Sequence, residues 1–346
     1  MALPRVLMTA FHAAPQVQLA VRRYVLRAVD EVHLPMFSGS TVRGAVGRAL
    51  RRLVCATRLP VCEGCPVRSA CAYAMLHDGF TPSDRPSGFG EHAPPPLWIR
   101  DLEAGRKLGP GDEMAFSVVA FGPAVASLPY VDEAVRGLGR SGLGRGRGGV
   151  TLVDAQDEQR STLGALVEAR VEALSKAVSA VSAVSAVSAV SATGTTGAMG
   201  ATGAGAGSLK VRLRSPVSIR LKGRAWADPS RPKPSWAERL LGGAVRRRVA
   251  LERRWLELSS EEAPRVPRVV EDAAGLKVME ENIEVRRVKR FSSTQGGPVE
   301  LHGVVGEVRL GGDGLQAALP WLVAGELLSV GAGTTFGFGR IDLEAA

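Results

Sequence analysis

Apolar positions follow two different periods along this chain, and the order of the periods is similar in its two halves. A short apolar run predicts a strand at Val21–Val29, and alternation of Val and Leu with polar residues predicts another at Leu209–Val217. Helical spacing predicts arginine-rich helices at Val42–Val54 and Trp236–Leu256. The other predicted strands are Ala115–Gly122, Val150–Val153, Val299–Leu310 and Ile341–Leu343, and the other predicted helices are Tyr130–Leu138, Leu163–Lys176 and Ala317–Leu328. Each half approximates strand–helix–strand–strand–helix–strand, which predicts an α+β protein of tandem ferredoxin-like (RRM-like) domains.

A three-residue repeat separates the two halves. Five tandem Ala-Val-Ser triplets begin at Ala177 and continue into a Thr/Gly/Ala tract that ends at Ser208. A period of three matches neither a strand nor a helix face, so we interpret residues 177–208 as a low-complexity linker or expanded loop. The alternative is that the repeat extends the preceding helix by a few turns. The predicted domains are therefore residues 1–176 and 209–346, which suits a chain of 346 residues.

The chain is strongly basic. Lys and Arg number 44 against 34 Asp and Glu, which gives a net charge of +10 and a pI near 10.0. Arginine predominates, and its planar donors bind phosphate in pairs. This balance favours a polyanionic partner, nucleic acid before anionic membrane, although a solvated basic surface is the plainer explanation. An apolar content of 45% excludes a disordered chain, and the absence of a long apolar run or signal peptide predicts a cytoplasmic protein with no membrane association.

Glycine and arginine coincide in two segments, Gly142–Gly149 and Gly331–Arg340, each of which leads into a predicted strand. Glycine permits positive φ and close approach of another backbone, so these turns suit a phosphodiester chain. The plainer alternative is ordinary turn chemistry and solubility. We prefer RNA contact because the pattern occurs twice. The predicted RNA-binding residues of these segments are Arg145, Arg147, Gly331, Gly333, Thr334, Thr335, Gly337, Gly339 and Arg340.

All four cysteines fall within one predicted insertion, residues 55–75 of the first domain. They are Cys55, Cys62, Cys65 and Cys71. The two-residue gap between Cys62 and Cys65 lets both thiolates face one ion, which predicts a zinc site, and an iron–sulfur cluster would use the same ligands. Free cysteines are the alternative. A closed site of four thiolates has no open position, so the metal would be structural and not catalytic.

Several segments together resemble a known family, the CRISPR-associated endoribonucleases of the RAMP superfamily that process precursor repeat RNA. The similar segments are Leu34–Leu50, the cysteine loop with Tyr73, Pro94–Ile99, Arg290–Gln295 followed by Gly303–Gly306, and Gly331–Arg340. Their order covers most of the chain apart from residues 177–208. The cysteine loop resembles an insertion of one branch of the family. The resemblance adds Arg290 and Ser292 to the expected RNA contacts.

The resemblance implies that the chain cleaves CRISPR repeat RNA without a metal or another catalytic cofactor, in antiviral defence and in company with other CRISPR effector subunits. The 2′-hydroxyl beside the scissile phosphate attacks it, which leaves a cyclic phosphate and a free 5′-hydroxyl. This chemistry needs a base, an acid and cations that hold the transition state, and histidine suits the first two tasks.

The chain departs from the family in its histidines. Relatives carry a histidine in or near the first helix, whereas no histidine lies between Leu34 and Leu76 and Arg48 occupies a position where some relatives have one. We therefore predict His33 as the catalytic base, with Arg43 and Arg48 stabilising charge, because arginine stays protonated. His302 is a weaker candidate, and a structural role is the default for the others, namely His12, His77 and His92. Ser329 and Ala332 replace a histidine and a lysine that are common in the glycine loop of relatives.

Two other hypotheses belong to different functional classes. A non-catalytic RAMP subunit that scaffolds a guide-RNA complex would explain the missing helix histidine. A DNA-binding protein stabilised by a structural metal would fit the charge and the cysteines but not the repeated glycine turns.

Overall fold

Each half of the protein folds around a four-stranded antiparallel sheet. The structure is a computed structural model, and it describes residues 16–78, 94–102, 105–192, 207–219, 234–256, 264–292 and 297–346. The strands of the first half are β1 (Gln18–Ala28), β2 (Val32–His33), β3 (Leu97–Arg100), β4 (Lys107–Leu108), β5 (Glu113–Phe121) and β6 (Val150–Thr162), and its helices are α1 (Gly39–Val54), α2 (Leu128–Arg136), α3 (Leu138–Ser141) and α4 (Leu163–Ala192). The main sheet has the order β3-β5-β1-β6, and β2 pairs with β4 in a small separate sheet.

The second half repeats this topology. Its strands are β7 (Leu209–Val217), β8 (Lys277–Ser292), β9 (Gly297–Gly311) and β10 (Ile341–Ala345), and its helices are α5 (Trp236–Trp255), α6 (Val266–Asp272) and α7 (Leu315–Leu328). The sheet order is β10-β7-β9-β8. In both sheets the last strand lies beside the first, and the third lies between the first and the second. The predicted tandem ferredoxin-like fold is thus confirmed.

Local sequence accounts for the two helices that follow the first strand of each half. In α1, buried Val42, Ala45, Val46, Ala49 and Leu50 form one apolar stripe against the sheet. The N-terminus of α5 is closed by a capping box, in which the Ser235 side chain accepts a hydrogen bond from the backbone of Glu238 and the Glu238 carboxylate accepts one from the backbone of Ser235.

The two halves share a core. Trp98 and Phe121 of the first sheet belong to the same buried cluster as the apolar faces of α5 and α7. At the edge of this core, the Arg170 guanidinium on α4 donates to both carboxylate oxygens of Glu326 on α7, at 2.9 and 3.0 Å. The same carboxylate accepts the backbone N–H of Leu343 at 2.8 Å. This bidentate, partly buried pair ties α4 to the second half.

The Ala-Val-Ser repeat is helical as far as the structure describes it. Helix α4 runs to Ala192, so residues 177–192 are helical, as the alternative predicts, and the interpretation of residues 177–208 as a linker or loop stays a prediction. The physical reason for the helix is a buried stripe at helical spacing that continues one step into the repeat, at Leu163, Val167, Val171, Leu174 and Val178. Residues 193–206 lie outside the described part, and the division into domains at 176 and 209 stays a prediction.

Candidate functional site

Helix α1 lies between the two glycine–arginine segments. The Gly331–Arg340 loop of the second half packs against its N-terminus, where a Cβ on Gly39 would lie 1.7 Å from the carbonyl oxygen of Phe336. Three aromatic rings fill this junction, with Phe37 4.8 Å from Phe338 and 6.1 Å from Phe336 between ring centroids. The first helix of one half and the glycine loop of the other therefore form a single surface.

The glycines of this loop are required by its own backbone. Gly331, Gly333, Gly337 and Gly339 all have positive φ, between 77° and 96°. A Cβ on Gly339 would lie 2.0 Å from the carbonyl oxygen of Val330. The buried Thr334 begins a short 3₁₀ helix, Thr334–Phe336, whose ends are the left-handed Gly333 and Gly337. Turn geometry alone thus accounts for the glycines, and RNA contact by this loop stays a prediction.

The two arginines predicted to contact RNA in the second half differ in how far other protein groups engage them. Arg340 is engaged within the protein, because its guanidinium pairs with Asp342 at 2.8 Å and with Asp101 at 3.2 Å. Arg290 lies over the ring of Phe336, with the guanidinium carbon 4.9 Å from the ring centroid. Ser292 is the last residue of β8. Arg290 is therefore the better placed of the two arginines to meet a ligand at the loop.

The first glycine segment forms a small hairpin against β2. Leu143 bridges Gly148 across the turn, and the backbone N–H of Arg145 donates to the carbonyl oxygen of His33 at 2.9 Å. A Cβ on Gly144 would lie 2.5 Å from the same oxygen, so glycine is needed for this approach. The tip of the hairpin, Arg145-Gly146-Arg147, is exposed. Sequence reasoning named His33 and the two arginines separately, and the fold brings them together.

His33 is held by a carboxylate. Its Nε2 lies 2.8 Å from a carboxylate oxygen of Glu31, and its side chain is 41% exposed. Lys107, which pairs with His33 across β2 and β4, places its Nζ 3.4 Å from the same carboxylate. The hydrogen bond from Lys107 and the charges of His33 and Lys107 lower the pKa of Glu31, so the carboxylate stays ionised at neutral pH. An exposed imidazole oriented by a carboxylate is suited to proton transfer.

The two α1 arginines predicted to stabilise charge have different environments. The Arg43 guanidinium is largely enclosed and donates to the carbonyl oxygen of His77, and burial lowers its pKa, with a further contribution from the charge of Arg290. Arg48 is exposed, and its pKa is lowered by partial burial and then by the positive charges of Arg147 and Arg52. Arg48 therefore belongs with the hairpin and His33 side of the surface, and Arg43 with the Phe336 side.

His77 is the residue whose environment sequence reasoning missed. Its ring packs on α1, where a Cβ on Gly47 would lie 2.1 Å from Nε2, and it stacks on Tyr73 with ring centroids 5.0 Å apart. It lines a cavity with Arg43 of α1 and Thr335 of the glycine loop. Burial lowers the pKa of His77, with the charge of Arg43 adding to the effect and Asp78, 3.6 Å from Nδ1, opposing it. Nothing in the local sequence signals this contact, because Gly47 lies far away along the chain.

The lowered pKa of His77 gives a pH prediction. Below the unfolded value of about 6.5, the unfolded chain binds a proton at this ring while the folded protein does not, so stability falls as the pH drops from about 6.5 to the folded pKa. Urea unfolding at pH 7.5 and 5.5 is expected to show a smaller loss in His77→Phe than in the unmodified protein, by up to ~1.4 kcal/mol for each unit of pKa difference. Equal losses in the two proteins would contradict the environment described for His77.

The metal centre predicted at the four cysteines is not supported. Cys55, Cys62, Cys65 and Cys71 do line one pocket. Within the ranges that the structure describes, however, no group of three or more His, Cys, Asp or Glu side chains is placed to hold an ion. The thiols have other neighbours instead: the backbone N–H of Arg58 donates to Cys55 Sγ at 3.3 Å, and Thr57 Oγ1 lies 3.5 Å from Cys65 Sγ. The hydrogen bond from Arg58 lowers the pKa of the Cys55 thiol, and burial raises that of Cys62.

Family models match both halves of the chain. Residues 17–178 match a model described as an N-terminal domain, and residues 211–341 match that of the CRISPR-associated endoribonuclease Cas6. The second half of the chain, residues 211–341, thus carries a domain of the CRISPR-associated endoribonuclease Cas6 family. The resemblance predicted from the sequence motifs is thereby confirmed, whereas membership of a cysteine-containing branch stays a prediction. None of the helices in the described segments is both long enough and apolar enough to cross a membrane.

Solved Cas6 structures share the fold. A product complex of a Thermus thermophilus Cas6 is 15% identical with a TM-score of 0.50, over 94% of this chain and 99% of that one. A partial Cas6-RT-Cas1–Cas2 complex is 14% identical with a TM-score of 0.55, over 96% of this chain and 47% of that one. At these identities the likeness concerns the fold alone. No protein of curated function matches the sequence.

Proposed function

We propose that this protein binds CRISPR repeat RNA and cuts it without a metal. The observation that carries the proposal is the exposed His33, held by Glu31 beside the Arg145–Arg147 hairpin tip, in a chain that carries a Cas6-family domain. His33 takes the proton of the 2′-hydroxyl, whose oxygen attacks the adjacent phosphorus. The bond from phosphorus to the 5′ oxygen breaks, which leaves a 2′,3′-cyclic phosphate on one product and, after protonation, a 5′-hydroxyl on the other.

The cations around His33 have distinct tasks in this mechanism. Arg145, Arg147 and Arg48 hold the phosphate as its charge grows, since guanidinium donors remain charged at every relevant pH. Lys107 lies opposite His33 in the β2–β4 pair and contacts the same carboxylate, and in this mechanism it protonates the leaving 5′ oxygen. Arg43 is enclosed against His77 and supports the helix that carries Arg48.

RNA beyond the cut is held by the second half in this proposal. Arg290 and the glycine loop around Thr335 lie on the Phe37 side of α1, so one RNA strand contacts both halves, and Ser292 is a further expected contact. Low aromatic content, 5%, favours recognition by backbone and shape over base stacking. The similarity of this fold to a chain of a Cas6-RT-Cas1–Cas2 complex supports the proposal that this protein assembles with other CRISPR proteins. The four cysteines and any metal have no catalytic part here, and the reaction is placed in the cytoplasm.

The test is incubation of the purified chain with its repeat RNA in excess chelator. The repeat sequence comes from a CRISPR array beside the coding region. Cleavage at one position, at a rate unaffected by the chelator, is the expected result because no step needs a metal ion. Tight binding without any product would contradict the proposal and favour a non-catalytic RNA-binding subunit.

A further inference from the structure

Five arginines on α1, α3 and the first glycine hairpin have no acidic partner among the residues that the structure describes. They are Arg48 and Arg52 on α1, Arg140 on α3, and Arg145 and Arg147 at the hairpin tip. All five are exposed, and in the described parts of the chain none forms an ion pair. Two of them, Arg52 and Arg140, are not among the functional residues predicted from the sequence.

The segments that carry these arginines pack close to one another. Arg48 and Arg52 are four residues apart and therefore neighbours on the same face of α1. The hairpin follows directly on α3, which packs on α1, and the backbone N–H of Gly142 donates to the carbonyl oxygen of Leu138 at 2.8 Å. The charges of Arg147 and Arg52 also lower the pKa of Arg48, after partial burial. The segment that carries Arg140 also packs on α1, since a Cβ on Gly137 would lie 3.7 Å from Cβ of Ala49.

Neighbouring carboxylates do not neutralise this surface. Asp30 accepts the backbone N–H of Gly149, Glu31 pairs with His33 and Lys107, and Glu133 pairs with Arg136. The arginines of β7 contrast with this arrangement. There Arg212 lies 2.9 Å from Glu307 and 3.2 Å from Glu344, and Arg214 lies 3.2 Å from Asp342. Positive charge along α1 and the hairpin is thus not compensated by the described carboxylates around it.

We propose that Arg52 and Arg140 extend the cleavage site into a continuous surface that binds the phosphate backbone of RNA outside the cut nucleotide. Like charges held this close destabilise the free protein, and bound phosphates relieve the repulsion. Guanidinium groups without acidic partners retain their donors for phosphate oxygens. The proposal rests on the function proposed above, and it adds residues that anchor RNA without touching the reacting atoms.

The experiment measures the salt dependence of RNA binding. A fluorescein-labelled 20-nucleotide oligouridylate is titrated by anisotropy at several KCl concentrations against the unmodified protein and the double variant Arg52→Gln/Arg140→Gln. Each phosphate contact on a single strand contributes about 0.7 to the slope of log K against log salt, so the variant slope is expected to be shallower by about 1.4. At 0.1 M KCl we expect binding that is weaker by roughly tenfold.

The matched control is Arg27→Gln/Arg160→Gln. These two arginines are exposed but paired, Arg27 with Glu113 at 2.8 Å and Arg160 with Asp157 at 3.2 Å, so the control removes the same charge. Its slope should equal that of the unmodified protein, and circular dichroism should show that all three proteins are folded at the assay temperature. Equal slopes in both double variants, or loss only of binding to phosphatidylglycerol vesicles, would overturn the proposal.

The two proposals can fail separately. If the unmodified protein does not cut repeat RNA but Arg52→Gln/Arg140→Gln shows the shallower slope, the surface stands and the cleavage function falls. If repeat RNA is cut but the slope is unchanged, the cleavage function stands and the surface proposal falls.

Discussion

Replacing His33 by alanine should slow repeat-RNA cleavage by about 10²- to 10⁴-fold while RNA binding is retained. The reason is that the variant loses the only histidine adjacent to the hairpin tip in the described ranges, and the remaining cations cannot accept a proton at neutral pH. Single-turnover rates with saturating protein separate the chemical step from binding. Glu31→Gln should give a smaller loss, because the imidazole stays in place but loses the carboxylate that orients it.

His302 offers a matched control for His33. It is also exposed, 51% against 41%, and also lies beside a glutamate, with Nε2 3.4 Å from Glu300. It lies on β9 of the second half, away from the hairpin. His302→Ala should therefore cut at the unmodified rate. A normal rate in His33→Ala would remove His33 from the mechanism, and equal losses in the two variants would show that the effect is not specific to the site.

Replacing Gly339 by alanine should be the most destabilising single change in the glycine loop. An alanine at φ +78 costs about 1–2 kcal/mol, and its Cβ would lie 2.0 Å from the carbonyl oxygen of Val330, which adds roughly 1–3 kcal/mol of strain. The expected loss in the free energy of unfolding, measured in urea, is therefore about 2–5 kcal/mol.

Gly146→Ala separates the two contributions. Gly146 has φ +87, but no atom lies within 4 Å of the added Cβ, so the expected loss is only about 1–2 kcal/mol. If Gly339→Ala keeps full stability and instead loses RNA affinity, the glycine serves the approach of a ligand and the backbone account of the loop is wrong.

Regular alternation made some elements predictable from sequence. The predicted strand Leu209–Val217 has the same bounds as β7, and the predicted helix Val42–Val54 lies within α1. Strand β8 was not predicted, because charged residues occupy both of its faces and hide the alternation that indicates a strand. It is stabilised by pairing with β9 along almost its whole length. Similarly, helix α4 extends into a repeat whose period of three hides the helical stripe that ends at Val178.

The candidate site was predictable only in part, because its contacts join distant segments. The chemistry of His33 and Arg145 could be recognised from residue type, but their adjacency depends on the pairing of β2 with the hairpin. Cysteine spacing predicted a metal centre that the described fold does not form. The position of His77 depends on Gly47 of α1, thirty residues earlier in the chain, and no local sequence pattern predicts such a contact.

The 3′ end of the upstream cleavage product tests the central claim most directly. Mass spectrometry of that fragment, taken from the chelator reaction with the repeat RNA, is predicted to show a 2′,3′-cyclic phosphate. A 3′-hydroxyl at the cut would mean that water or another nucleophile attacked the phosphate, and it would contradict the mechanism assigned to His33.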